Sequence, residues 1–289
     1  MKISLFCIAL VLSSGFAASA GAQWPPYPTP DVPLTPDGTP DLEGPVPRTA
    51  EGHPDFTGIW QNDAPRGRGD GSGPGQHEPQ PPPPGTPPRA TFFDIGANLK
   101  DGLPLRPWAK KLKDARMANN NKDNPDAHCL PLGYMQFHLH PQPRKIVQTP
   151  QELIIMYESN YGLRQIFTDG RSLPDNDPQP WWYGYSVGHW EGDTLVVEST
   201  HFRDGGWLDV NGSPLTDQAT ITERFRRPDF GHMQIDVTID DPKAYTKPFT
   251  VRVNHRIMLN TNLIEFICNE NEQSSRYYIG EGSSDEQAE

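Results

Sequence analysis

Glu223 stands between Ile221 and Phe225, and the alternating pattern of the segment 220–227 puts these three on one face and Thr222, Arg224 and Arg226 on the other. If the apolar face is the interior of a sheet, Glu223 points inward among hydrophobes. The same test sets Glu158 with Ile154 and Met156, Arg164 with Ile166, Glu198 with Val196, and His255 with Val251, Val253 and Ile257. Burial pushes a carboxyl toward its neutral form and a neighbouring guanidinium pulls it back, so such a set can hold and release a proton. Glu223 or Glu158 would then be a general acid or base and Arg164 an oxyanion stabiliser, as a lyase, isomerase or hydrolase requires. Glu158 and Arg164 flank one turn and could pair directly. The plainer reading of the same residues is an ion-pair network that neutralises buried charge.

Trp181, Trp182, Tyr183 and Tyr185 form an aromatic cluster that could stack on a sugar or an aromatic ligand, or simply pack under a loop. His138 and His140, two apart on what reads as an extended segment, with His128 upstream, have the spacing of a transition-metal pair. A solvated loop before Pro141 explains them as well, and we assign no metal. Asp169-Gly170-Arg171 and Glu191-Gly192-Asp193 read as hairpin turns. Asp240 and Asp241 alone supply too few oxygens for calcium. The sequence holds no phosphate loop, dinucleotide fingerprint, nucleophile elbow or paired CxxC motif, so no cofactor is assigned.

The elements that must position these residues are mainly strands. From 144 onward the hydrophobic period is two, with strands expected at 145–148, 152–158, 163–168, 183–190, 194–200, 220–227, 232–240, 249–259 and 263–269. Gly/Asn/Asp/Pro turns separate them. With 56–60 added, nine or ten strands are enough to close a barrel, an antiparallel up-and-down meander without free edges. A twisted sandwich or an open sheet is the competing arrangement. One helix is expected over 106–117, with Pro107 early and Trp108, Leu112 and Ala115 on one face; it should lie outside the barrel.

Across 289 residues only 34% are hydrophobic, and more than half of the 33 prolines fall in the first third. We therefore expect a disordered Pro-rich N-terminal region, with an extended lead-in over 23–52, the first strand within 53–62 and a Pro/Gly-rich linker over 63–90. A peripheral helical segment follows at 91–127, the barrel domain at 128–272 and an acidic tail at 273–289. Residues 1–22 have the Lys2, short apolar run and small-residue cleavage pattern of an export signal, too short to span a bilayer. Two cysteines would remain, Cys129 and Cys268, an even count that favours a disulfide in an oxidising compartment. A net charge of -12 argues against nucleic acid and anionic membrane surfaces as partners.

Phe56-Thr57-Gly58-Ile59-Trp60 resembles the Gly-x-Trp first strand of lipocalin-like (calycin) barrels, which implies a Trp packed across the barrel floor. The stretch 122–271 resembles a family of exported bacterial proteins without an assigned reaction. The resemblance rests on Cys129-Leu130-Pro131-Leu132-Gly133, Gly184-Tyr185-Ser186-Val187-Gly188, Trp190-Glu191-Gly192-Asp193-Thr194-Leu195-Val196-Val197-Glu198, Thr222-Glu223-Arg224-Phe225-Arg226-Arg227 and Asp240-Asp241-Pro242. That family often has a His-containing turn where this chain reads Gly212-Ser213-Pro214-Leu215-Thr216, so a His-dependent role there would be absent. The sequence thus leads us to expect a periplasmic or secreted lipocalin-like β-barrel holding a small apolar, aromatic or sugar-like ligand in its interior. An acid/base enzyme of the same shape, and a structural protein with a filled barrel, are the rivals.

Overall fold

The computed structural model describes residues 27–63, 83–175, 179–268 and 270. The expected export signal, the middle of the expected linker and the expected acidic tail lie outside the described residues. In chain order the elements are β1 (Gly58–Asn62), α1 (Pro107–Ala118), α2 (Tyr134–Leu139), β2 (Arg144–Gln148), β3 (Glu152–Tyr157), β4 (Leu163–Phe167), β5 (Tyr185–Glu191), β6 (Thr194–Thr200), β7 (Gly206–Trp207), β8 (Pro214–Leu215), β9 (Thr220–Arg226), β10 (His232–Asp240) and β11 (Phe249–Ile257). Nine strands close into a barrel in the order β1-β11-β10-β9-β6-β5-β4-β3-β2, and β7 and β8 form a separate small hairpin.

Alternation builds the core as the sequence pattern requires. Inward positions include Leu153 and Ile155 on β3, Leu195 and Val197 on β6, Ile221 and Phe225 on β9, Ile235 and Val237 on β10, and Val251 and Val253 on β11, all buried. Trp60 is wholly buried, with its indole Nε1 donating to Phe56 O at 2.9 Å and the Arg227 guanidinium 5.0 Å from its ring centre.

The barrel is not purely up-and-down. β4 and β5 run parallel, paired only at Ile166 with Ser186 and Phe167 with Val187, while every other neighbouring pair is antiparallel. An odd number of strands cannot alternate direction all the way round a closed ring, so at least one parallel junction is unavoidable. A parallel pair cannot be joined by a tight hairpin, so the turn at Asp169 and Gly170 opens a crossover that reaches β5 only at Tyr185.

The expected strand over 263–269 does not form in its described part, 263–268. β1 and β10 already occupy both sides of β11, so no edge remains for another strand. The segment instead carries Ile264, whose N–H donates to the Glu158 carboxylate at 3.0 Å, and Cys268, which is disulfide-bonded to Cys129 with Cα atoms 5.4 Å apart. The bridge therefore ties the chain after β11 to the segment before α2, not to a last strand.

α1 forms as expected but turns a different face inward. Ala109 and Lys113 are buried, whereas Trp108 and Ala115 are exposed. Polar anchors outweigh the apolar stripe: Lys113 pairs with Asp94 at 2.9 Å, and Arg116 donates to Gly212 O at 2.9 Å over the Trp207 ring.

The proline-rich residues 27–48 form no helix or strand beyond isolated bridges, yet they are not the loose lead-in that composition suggested. They strap across the barrel: Phe230 N–H donates to Gly44 O at 2.9 Å, Gly231 N–H to Leu42 O at 2.7 Å, and Arg48 pairs with Asp193. A Cβ on Gly231 would come within 2.6 Å of Leu42 Cβ, so this close crossing requires glycine. Prolines lose little backbone entropy on ordering, and a few backbone hydrogen bonds then suffice to fix the strap.

The bridge spans 139 residues of sequence, and chain entropy assigns a loop of that size up to about 5 kcal/mol. The double variant Cys129→Ser/Cys268→Ser is expected to keep the barrel's circular-dichroism signature and to unfold at lower denaturant. An unchanged midpoint would show that the bridge constrains nothing.

Candidate functional site

The inward polar residues converge on Glu223, which has no solvent exposure. Tyr134 OH donates to its Oε2 at 2.9 Å, His138 Nε2 lies 2.7 Å from Oε1, and Arg164 donates to both oxygens, through Nη1 at 3.1 Å and through a shorter contact from Nη2. Arg164 Nη2 also donates to Ser186 Oγ at 3.2 Å and Ser199 Oγ at 3.0 Å, and the two hydroxyls are 2.7 Å apart. One cluster thus joins β4, β5, β6 and β9 across the short parallel junction.

Tyr134 and His138 reach the same carboxylate because they are four apart on α2, and residues four apart share a helical face. Every residue of α2 is buried. The sequence pattern suggested an extended segment here, with His138 and His140 side by side. Instead the chain turns into a helix at Gly133, where any Cβ would collide with the Trp207 carbonyl, and the Gln136 side chain accepts from the Gly133 N–H at 2.9 Å. The two imidazoles part: His138 faces Glu223 and His140 packs edge-on against Phe92. His128 lies outside the barrel interior, with Nε2 2.7 Å from Lys122 O. No group of three potential metal ligands occurs among the described residues.

Arg144 secures the other end of the helix. It is 1% exposed, and Nη1 donates to His138 O at 2.8 Å and lies 2.6 Å from His255 Nε2, while Nη2 donates to His140 O at 3.1 Å. A guanidinium on terminal helix carbonyls satisfies orphan acceptors and complements the helix dipole. His255 Nε2 is also 2.7 Å from His138 O. Which of these two contacts Nε2 makes as a hydrogen bond depends on the tautomer of His255.

Burial raises the Glu223 carboxyl, but the Arg164 charge and the His138 hydrogen bond outweigh it and hold the group at about 2. Burial pushes His138 down, against the pull of Glu223, and pushes His255 well down with help from Arg144. His140 is lowered to about 4 by burial and by Arg144. The interior therefore holds an ionised Glu223–Arg164 pair among neutral histidines. The Glu223 carboxyl is fully buried and held charged, not poised to exchange a proton near neutrality.

Two of the five inward candidates stand elsewhere. Glu198 is exposed on the outer face of β6, because Leu195, Val197 and Ser199 take the inner one. Glu158 follows β3, whose inward residues are Leu153, Ile155 and Tyr157, and its carboxylate caps Ile264, not Arg164. Both strands are apolar on both sides, so alternation misassigned their faces. The aromatic cluster does not converge on one pocket either. Tyr183 packs edge-on against Phe137, Trp182 lies under Arg203, and Trp181 and Tyr185 pack on each other. Asp241 spends its oxygens on the Thr216 N–H and hydroxyl, at 2.9 and 2.7 Å. The turn at Gly212 and Ser213 is held by Asp209, which accepts from Ser213 N and Oγ at 3.0 and 2.7 Å.

A large cavity lies outside the barrel wall, between the strap and the start of β1, the end of β11 and the β9–β10 turn. Its volume is about 790 Å³. Tyr27, Pro30, Pro33, Pro45 and Pro47 form the strap side; Ile59, Phe230, Ile257 and Met258 form the barrel side; Lys145 and Arg227 also line it. Sequence reasoning missed this site because one wall is a proline-rich segment with no hydrophobic period. No protein-family profile, curated protein or solved structure matches the chain.

Removing one charge of a buried pair strands the other, at a cost of about 3–5 kcal/mol. Glu223→Gln and Arg164→Met should each destabilise by that order, and the double variant should recover much of the loss; simple addition of the two losses would show that they do not act as a pair.

The depressed histidines bind protons more readily unfolded than folded, so they favour the fold above their unfolded value of about 6.5 and cost stability as pH falls from there toward about 4. Glu223 adds its own loss only below about 4.5, as pH falls toward about 2. Thermal melts should therefore show a lower Tm at pH 5 than at pH 7.5. A flat profile over that interval would contradict the burial of neutral imidazoles.

Proposed function

We propose that this is an exported β-barrel protein that binds a small apolar or aromatic molecule, and that the molecule sits beneath the proline-rich strap, not inside the barrel. The observation that carries the reading is the cavity of about 790 Å³, within the range of sites for drug-sized ligands. Proline rings and aromatic faces line the strap side and branched aliphatics the barrel side, a surface that gains by burying apolar area. The disulfide and the export-signal pattern of residues 1–22 support an extracytoplasmic location, periplasmic or secreted. No helix among the described residues is long and apolar enough to cross a membrane. The burial of Glu223 and its depressed carboxyl favour a structural role for it over acid/base work.

The neutral fluorescent probe N-phenyl-1-naphthylamine tests the site. It should bind the mature protein with enhanced emission, and at about 100 times its Kd raise stability by about 2.7 kcal/mol. Thr261→Trp, which fills the cavity from the chain after β11, should abolish both effects while leaving the unliganded melt unchanged. Binding that survives Thr261→Trp would place the ligand elsewhere.

A further inference from the structure

The cavity lining carries two cations, Lys145 and Arg227, and two acids, Asp31 and Asp55, and they differ in what they are paired with. Arg227 is 5% exposed and spends its donors on backbone carbonyls, Nε on Asp229 O at 3.3 Å, Nη1 on Asp55 O and Nη2 on Phe230 O. No carboxylate lies within ion-pair distance of it among the described residues. Asp55, the nearby acid, has an oxygen engaged by the Thr57 N–H at 2.7 Å. Lys145 is on the outer face of β2, between Ile59 of β1 and Met156 of β3 in register. It is half-buried, and its ammonium makes no ion pair or hydrogen bond among the described residues. A lysine whose stem lies along an apolar wall can place its charged head at the rim of a ligand site. Asp31, the other acid lining the cavity, is exposed to solvent.

We infer that the ligand of this cavity is an anionic amphiphile, an apolar or aromatic body carrying one acidic group, and that Lys145 is the residue that pairs with the acid. This rests on the cavity being the binding site. The apolar walls take the body of the molecule. Arg227 is fixed by three carbonyls and offset by Asp55 and Asp229 nearby, so the Lys145 ammonium is the cation left to contact a ligand. A neutral molecule of the same shape would leave the Lys145 ammonium without a partner, so it should bind more weakly. An amphiphilic cation should be rejected, because like charges in a partly desolvated site repel.

Two probes share one ring system and differ by the acid: 1-anilinonaphthalene-8-sulfonate and N-phenyl-1-naphthylamine. On the mature protein the sulfonate should bind on the order of 10-fold tighter than the neutral probe, a difference that added salt reduces. Lys145→Met should remove that preference, and Lys145→Arg should restore it. Equal affinity of the two probes, or a sulfonate preference untouched in Lys145→Met, would overturn the assignment while leaving the cavity as the binding site. Failure of both probes to bind, or binding of both in Thr261→Trp, would overturn the site itself and the inference with it.

Discussion

The Arg164–Glu223 pair is the interaction on which the rest of the structure depends. It sits where the barrel is thinnest, at the junction of β4 and β5, which share only two residue pairs in register. Arg164 is on one side of that junction, Ser186 on the other, and Glu223 two strands beyond, so the cluster spans from inside a gap that the backbone ladder bridges weakly. An isolated buried charge would be prohibitive. Here each carboxylate oxygen has at least two donors and the guanidinium is shared with two hydroxyls.

That same carboxylate recruits α2. A helix of six residues is too short to be stable alone. It persists because Tyr134 and His138 are tethered to Glu223 at one side and its last carbonyls are tethered to Arg144 at the other. The helix then fills the space that would be a ligand chamber in an open barrel. The interior becomes core, and a large apolar cavity lies outside it, beneath the strap.

Much of this was legible in the sequence, and the failures have physical causes. The two-residue period located the barrel strands, and Glu223 and His255 were correctly turned inward because their strands are apolar on one face only, while Arg164 followed Ile166. Glu158 and Glu198 were misplaced because their strands are apolar on both. The parallel junction could have followed from the strand count, since an odd ring demands one, had the tenth strand been recognised as having no free edge to join. Arg144 alternates with Ile146 on β2 and was within reach of the same argument. α2 was not, because Tyr134 to His140 is helical through tethers from distant strands, not through local propensity. The strap was not legible either: nothing in a run of prolines shows which backbone carbonyls a distant turn will bind.

The central claim is that Glu223 holds the plug helix in place and so makes the interior a core. Hydrogen–deuterium exchange on Glu223→Gln measures this directly. The account predicts that amides of 134–140, strongly protected in the wild type, lose protection in the variant far more than those of β10 and β11, which are held by their own ladder. Unchanged protection of 134–140, or a uniform loss across the barrel, would contradict it.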